Sequence, residues 1–174
     1  MNTEARENPL LRLSNDHEEV LEVLAKLKSD LADVERKVEM GVLARVKEIC
    51  RYFEQPVNLH IRLEEEALFP ILEQYLPREG GPIAVMLYEH SINREFLKEF
   101  EETLLLLRRV PESMALRDRL LDIGREWVQL TGHIHKEERI LFMLANDQAS
   151  PAAVLLRRVD ALVRRPAVGR AFPR

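Results

Sequence analysis

The sequence repeats a residue pattern with a constant shift of 73 positions, and this repeat restricts the folds open to the chain. The decapeptide HIRLEEEALF (60–69) returns as HIHKEERILF (133–142), with six identities in ten positions. Four of the five histidines and two glutamates keep their type across the shift. They form three matched pairs: His17 and His90, His60 and His133, and Glu64 and Glu137. The two halves are therefore expected to form nearly equivalent structures.

Apolar residues recur at alternating steps of three and four, which is the spacing of one face of an α-helix. In the first helix only His17 interrupts this seam, whose members are Leu10, Leu13, Val20, Leu24, Leu27, Leu31 and Val34. The pattern returns around His90 in the second half. The sequence predicts five helices, over about 9–39, 42–75, 82–109, from after Pro111 to about Asn146, and over about 150–165.

Four long helices with short connections predict an all-α fold, an antiparallel up-down-up-down four-helix bundle with a short C-terminal fifth helix. A chain of 174 residues has the size of one domain. Residues 1–174 are therefore expected to form a single domain, with the bundle over about 9–146, the short helix over about 150–165 and a tail over 166–174. Pro56 lies inside the second helix and predicts a kink or bulge there.

Charge and cysteine content restrict partners and location. The net charge of −4 argues against a nucleic-acid partner, which usually requires a basic surface. The single cysteine, Cys50, excludes an internal disulfide, suits a reducing compartment and is expected to be a small buried hydrophobe. No stretch approaches the roughly 20 apolar residues of a membrane span, and the first residues lack an apolar signal segment. We therefore expect a cytoplasmic protein with no membrane partner.

Histidine and glutamate occupy seam positions at which other turns carry apolar residues. His60 and Glu64 are four residues apart, so they lie about one turn apart on one helix face, and His133 and Glu137 repeat this spacing. Because a bundle directs its seams toward one axis, four imidazoles and two carboxylates should converge in its interior. Burying them without partners would cost on the order of a few kcal/mol each. Metal coordination removes that cost.

The donor types restrict the metal. Imidazole and carboxylate suit iron, manganese or zinc better than calcium or magnesium. A single histidine on a helix seam is more often a core residue than a ligand, but six residues on one repeated pattern favour metal binding. Six donors exceed one tetrahedral zinc site and fit two ions bridged by both glutamates. The predicted ligands are His17, His60, Glu64, His90, His133 and Glu137.

Other polar residues near these positions are expected outside the ligand set. Glu65, Glu66 and Glu138 lie a quarter-turn or more from the ligands, so they should be solvated or contact the ligands from outside. His135 faces elsewhere on its helix. Asn93 lies on the inner seam and leaves two alternatives open: it holds a water or orients a ligand, or it satisfies neighbouring backbone.

In combination, His17, HIRLEEEALFP (60–70), Glu89-His90 and HIHKEERILF (133–142) resemble the hemerythrin-like (HHE cation-binding) domain family. The resemblance covers nearly all of residues 9–146. It implies a four-helix bundle that holds a non-haem di-iron centre, with two iron ions bridged by carboxylates and an oxo or hydroxo group. It also implies that the six residues named above are the ligands. The donor types leave zinc or manganese possible as substitute ions.

The resemblance includes a departure from the oxygen-carrying hemerythrins, which have a fifth histidine four residues from the other histidine of the third helix. Those positions hold Met86 and Arg94 here. Oxygen carriers also place an aspartate five residues after the last histidine, where this chain has Glu138. The set of four histidines and two glutamates is similar to that of bacterial iron-centre repair proteins and of a eukaryotic iron-sensing ubiquitin-ligase subunit. Reversible oxygen carriage is therefore not expected.

These residues and the resemblance predict a di-iron protein that binds or senses oxygen, nitric oxide or peroxide. With two histidines, two glutamate oxygens and one bridging oxygen, each iron would be about five-coordinate and would retain a position for a small ligand. Three alternatives stay open. The same centre would serve a peroxidase, oxidase or nitric-oxide reductase with an electron-transfer partner. It would equally serve iron-centre repair or iron delivery, or a redox-inert structural bundle.

Overall fold

The computed structural model describes residues 9–147 and 158–159, and four long helices dominate that part of the chain. Helix α1 spans Pro9–Arg36 and α3 spans Pro82–Arg109. Helix α2 consists of the consecutive segments Met40–Tyr52, Phe53–Val57, Asn58–Leu63, Glu64–Leu68 and Phe69–Leu72. Helix α4 consists of Met114–Val128, Thr131–Lys136, Glu137–Phe142 and Met143–Asp147. The predicted all-α bundle is confirmed.

Local sequence explains where the helices begin. Pro82 occupies the first turn of α3, where a missing backbone N–H costs nothing. The side chain of Ser113 accepts a hydrogen bond from the backbone N–H of Leu116 at 3.3 Å and caps α4. Gly80 has a φ of 69°, a conformation that glycine adopts without strain, and it turns the chain between α2 and α3.

Each helix packs against the next one along the chain, and α4 packs against α1. The contacts between neighbours step in opposite chain directions. On α1 and α2, Asp16 contacts His60 whereas Asp30, further along α1, contacts Arg45, which precedes His60. The same reversal joins α3 to α4 through Glu89 with His133 and Glu99 with Arg119. Neighbouring helices in these two pairs are therefore antiparallel.

The described residues contain two apolar clusters, which lie on opposite sides of a buried polar layer. One cluster includes Leu24, Phe53, Phe100 and Trp127. The other includes Leu13, Leu63, Phe69, Met86 and Phe142. Cys50 belongs to the first cluster, and burial raises the pKa of its thiol to about 12. The cysteine is thus a buried hydrophobe, as the sequence predicted.

Helices α2 and α4 depart from regular α-helix at matching places of the repeat. Segment Phe53–Val57 is a π-helical turn that contains Pro56, which confirms the predicted bulge. At the position shifted by 73, α4 is interrupted between Val128 and Thr131. Two further π-helical segments, Glu64–Leu68 and Glu137–Phe142, begin at equivalent glutamates and were not predicted. Such turns hold an extra residue and are frequent at functional sites.

The predicted fifth helix over about 150–165 and the tail over 166–174 lie outside the described residues, apart from Arg158 and Val159. Both of these are helical, and Val159 is buried against the second apolar cluster. Within the part of the chain that the structure describes, no helix is both long enough and apolar enough to cross a membrane.

Candidate metal centre

Six polar side chains meet in the layer between the two apolar clusters. They are the residues that the sequence singled out: His17 from α1, His60 and Glu64 from α2, His90 from α3, and His133 and Glu137 from α4. Five of them are at most 5% exposed. The side chain of His133 is 12% exposed and marks the most accessible edge of the group. All four helices therefore contribute to one polar cluster.

Glu64 lies between the histidines of the two halves. Its Oε1 is 3.2 Å from Nε2 of His60 and 3.7 Å from Nε2 of His17. Its Oε2 is 3.4 Å from Nε2 of His90. The carboxylate therefore turns one oxygen toward the first pair of histidines and the other toward the second pair.

Glu137 has the equivalent position on α4. Its Oε2 is 3.2 Å from Nε2 of His17. Its Oε1 is 3.2 Å from Nε2 of His133 and 3.4 Å from Nε2 of His90. Both glutamates thus connect the same two histidine pairs, as the repeat in the sequence requires.

Several buried atoms of this cluster find no hydrogen-bond partner among the described residues. They are both carboxylate oxygens of Glu64, both carboxylate oxygens of Glu137, and Nε2 of His90. A buried polar atom without a partner costs on the order of 1–3 kcal/mol. Nε2 of His17 also lies only 2.9 Å from Nε2 of His60, so at most one proton fits between them. Bound cations would satisfy these atoms.

The donor atoms fall into two groups, and within each group they lie within 4.8 Å of one another. The first group is His17, His60, Glu64 and Glu137, and the second is His90, His133 and Glu137. Glu137 belongs to both groups, and Glu64 reaches the second through its contact with His90. Mixed nitrogen and oxygen donors at this spacing fit transition-metal ions.

Each of the four histidines of the polar cluster has its outer ring nitrogen, Nδ1, in contact with a carboxylate of a neighbouring helix. The four contacts are Asp16 with His60 at 3.3 Å, Glu65 with His90 at 2.9 Å, Glu89 with His133 at 2.9 Å, and Glu138 with His17 at 2.8 Å. They join α1 to α2, α2 to α3, α3 to α4, and α4 to α1. An ionised carboxylate only accepts hydrogen bonds, so Nδ1 donates and Nε2 is left to face the interior.

The outer carboxylates are related by the same shift of 73 positions. Asp16 corresponds to Glu89, and Glu65 corresponds to Glu138. Glu65 and Glu138 contact His90 and His17 from outside the cluster, which is one of the two roles that the sequence left open. Glu66 instead pairs with Arg62 at the surface. Sequence reasoning did not assign Asp16 and Glu89. Their positions could have indicated the role, because Asp16 and Glu89 are related by the shift of 73 and each directly precedes a histidine of an inner seam.

Two further polar residues, Asn93 on α3 and His135 on α4, lie near the cluster in sequence. His135 is exposed and lies outside the cluster, as predicted. Asn93 has a role that the sequence did not indicate, because its Oδ1 accepts a hydrogen bond of 2.7 Å from the indole Nε1 of Trp127. This contact satisfies the only polar atom of a fully buried tryptophan.

The pKa directions show that the cluster attracts positive charge. Burial lowers the pKa of His60, but the charge of Glu64 and the contact with Asp16 outweigh it and raise this pKa to about 10. Burial also opposes the charged form of His90, yet its contacts with Glu137, Glu64 and Glu65 raise that pKa to about 11. Burial would raise the pKa of Glu137, but the surrounding histidines hold it well below its ordinary value.

An apolar cavity of about 30 Å³ adjoins the polar cluster on the side of the first apolar cluster. Its apolar lining consists of Val20, Phe53, Val57, Ile61, Leu130 and Ile134. Asn93 and all six residues of the polar cluster also border it. We call it the inner cavity.

The family model described as the hemerythrin HHE cation binding domain matches residues 8–145. The matched segment includes all of α1, α2 and α3, most of α4, and every residue of the polar cluster. Neither a curated protein nor a solved structure matches the chain.

Proposed function

Because this chain belongs to the hemerythrin HHE cation-binding domain family, we propose that it is a non-haem di-iron protein that binds or senses a small ligand. The ligand would be oxygen, nitric oxide or peroxide. We propose that two iron ions are held by His17, His60, Glu64, His90, His133 and Glu137. We further propose that residues 1–174 form one domain around this centre.

The observation that carries the proposal is the orientation of the two glutamates. Each turns one carboxylate oxygen toward His17 of the first histidine pair and the other toward His90 of the second. A carboxylate that serves one ion has no need to contact both pairs. Two carboxylates in this orientation support a pair of ions between them, as in other helix bundles with two-metal carboxylate sites.

The surrounding residues prepare the donors. The outer carboxylates fix each imidazole through Nδ1, which orients Nε2 and raises the basicity of the ring. The apolar cluster on each side excludes bulk water from the carboxylates. Iron bound here would supply a redox couple and coordination positions for a ligand.

The inner cavity supports the class of ligand. A cavity needs about 10–15 Å³ of this kind of volume to hold one water molecule. A cavity of about 30 Å³ therefore admits a molecule of about two heavy atoms. Oxygen, nitric oxide and peroxide each have two heavy atoms, which matches a space of this size beside the proposed donors. The six apolar side chains of its lining favour the uncharged members of this class.

Titration of the reduced, iron-loaded protein with nitric oxide tests the proposal. We expect a saturable change in the absorption spectrum, because the inner cavity borders all six donor residues. Zinc-loaded protein is the control and should show no change, since zinc has no redox chemistry. If protein with confirmed iron content shows no saturable change, the ligand-binding function is wrong.

Cycles of oxygen and vacuum separate sensing or reaction from oxygen carriage. The chain lacks the fifth histidine of oxygen carriers, so we expect the reduced protein to oxidise in air without returning to its starting spectrum under vacuum. Repeated full recovery of that spectrum would instead support reversible oxygen carriage.

A further inference from the structure

A second cavity, of about 100 Å³, lies between α1 and α2. Its polar lining includes Arg12, Asp16, Glu19 and Tyr52. Glu19 and Tyr52 interact through their side chains, and burial followed by the charge of Glu19 raises the pKa of Tyr52 to about 12. We call this second space the outer cavity. It lies on the side of the bundle where Asp16 holds the ring of His60.

The outer and inner cavities have three lining residues in common, namely Val20, Val57 and His60. Side chains that line both cavities form the partition between them, so this partition is one side chain thick. The ring of His60 is held by Asp16. The two valines carry no such contact and are restrained only by packing. Both valines are 6% exposed, so passage between the cavities requires a motion of buried side chains.

Backbone geometry explains why the partition lies here. Val57 ends the π-helical turn Phe53–Val57, and Pro56 of the same turn lines the outer cavity. A π turn holds one extra residue at this level. At the positions shifted by 73, the second half has Asn93 for Val20 and Leu130 for Val57. Asn93 is fixed by its hydrogen bond from Trp127, and leucine is bulkier than valine.

We propose that the outer cavity is the entrance through which a small uncharged molecule of about two heavy atoms reaches the inner cavity, with Val20 and Val57 as the partition that limits size and rate. The identity of the final ligand rests on the function proposed above, but the route is a property of the chain alone. Asp16 and Glu19 outnumber Arg12 in the lining, so anions are disfavoured relative to neutral molecules.

The single tryptophan of the chain, Trp127, reports arrival at the inner cavity. It is fully buried, its ring lies 4.4 Å from that of Phe53, and it donates to Asn93. Both of these neighbours line the inner cavity. Dissolved oxygen quenches tryptophan fluorescence on contact, so the quenching rate constant measures how fast oxygen reaches this space.

The experiment measures oxygen quenching of Trp127 lifetimes in full-length protein loaded with zinc, which neither quenches nor reacts with oxygen. Val57→Phe should lower the quenching rate constant by roughly threefold or more, because it fills the partition, and Val57→Ala should raise it. Leu130→Phe, the same replacement on the other side of the inner cavity, should change it by less than about twofold. Acrylamide, a larger quencher, should remain excluded from the wild-type protein.

Opposite signs for the two Val57 variants separate a blocked route from a folding defect, and circular dichroism checks the helices. If Val57→Phe does not fold, Val57→Ala against Leu130→Ala decides, with a larger increase expected for Val57→Ala. The proposal is overturned if Leu130→Phe slows quenching and Val57→Phe does not, or if neither has an effect. If the quenching results agree with these expectations but the nitric oxide titration shows no saturable change, the proposed function is rejected and the proposed entrance is retained.

Discussion

Each histidine of the polar cluster uses both of its ring nitrogens. Nε2 faces one or both of the buried glutamates, and Nδ1 donates to a carboxylate from a neighbouring helix. The same side chains therefore prepare a metal site and hold the four helices in register. Asp16 makes the longest of these outer contacts, 3.3 Å, and it is shorter by one methylene than its counterpart Glu89. His60 is thus the least tightly positioned of the four rings.

Removing a proposed ligand should remove the metal without unfolding the bundle. We expect His60→Ala or Glu64→Ala to reduce bound metal to less than about half, because most of the seam stays apolar and the helices persist. Metal content by elemental analysis and helix content by circular dichroism measure the two effects. His135→Ala is the matched control, since His135 is exposed two residues from His133. Loss of metal in His135→Ala with retention in His133→Ala would contradict the assignment.

An outer carboxylate should tune affinity without being a ligand. Glu65 accepts from both His90 and Arg94, whereas its neighbour Glu66 pairs only with Arg62 among the described residues. Glu65→Gln should weaken metal binding by about 10–100-fold, the usual effect of losing such a partner. Glu66→Gln should leave affinity unchanged in the same chelator competition. Equal effects of the two substitutions would show that Glu65 acts only through surface charge.

The sequence predicted that the main elements are helices and approximately where each begins and ends. The apolar seam of the first helix, for example, continues over eight positions. The sequence also predicted the bulge at Phe53–Val57, because Pro56 cannot donate a backbone hydrogen bond. It did not predict the π turns that begin at Glu64 and Glu137. Neither turn contains a proline or glycine, although Pro70 lies two residues after Leu68, and a spacing of four fits a regular helix equally well. Periodicity predicts on which face of its own helix a side chain lies, but it does not predict which neighbouring helix that side chain contacts. The contacts between the outer carboxylates and the histidines therefore could not be predicted from the sequence.

Helices α2 and α3 also meet at a pair of carboxylates, Glu54 and Glu101. Burial and the nearby charge of Glu54 raise the pKa of Glu101 to about 7, above its ordinary 4.5. A folded-state pKa that is raised means that the folded protein binds the proton more tightly. This contact therefore contributes its full stability below pH 4.5 and loses it as the pH rises through about 7.

Glu101→Gln should consequently raise the free energy of unfolding at pH 8 and have little effect at pH 5. The gain should be on the order of 1 kcal/mol or less, because the pair is largely exposed to solvent screening. Urea unfolding at the two pH values measures it. Glu102→Gln, at the exposed neighbouring position, should show no such pH dependence. A stabilisation that is equal at both pH values would contradict the raised pKa of Glu101.

In the whole molecule, the two repeated halves have nearly equivalent structures, and both contribute residues to one buried polar layer. The halves differ beside the inner cavity, where Val20 and Val57 of the first half correspond to Asn93 and Leu130 of the second. The sequence predicted the six clustered residues because each pair keeps its type across the shift. It gave no basis for the cavities, which depend on how side chains from several helices pack.

Metal removal should destabilise the whole bundle, since the buried oxygens of Glu64 and Glu137 would lose their partners. We expect chelation to lower the free energy of unfolding by roughly 3 kcal/mol or more while helix content is retained. Thermal unfolding with and without chelator measures this, and restoring the metal should restore the melting temperature. An unchanged melting temperature after verified metal loss would mean that the ions do not contribute to folding.

The most direct test of the central claim is the metal content of protein expressed in iron-replete cells and purified without chelators. Elemental analysis should find about two iron ions per chain, because both glutamates bridge two histidine pairs. His60→Ala and His133→Ala, one variant in each half, should each fall clearly below that value. One tightly held zinc per chain with no iron would contradict a di-iron centre.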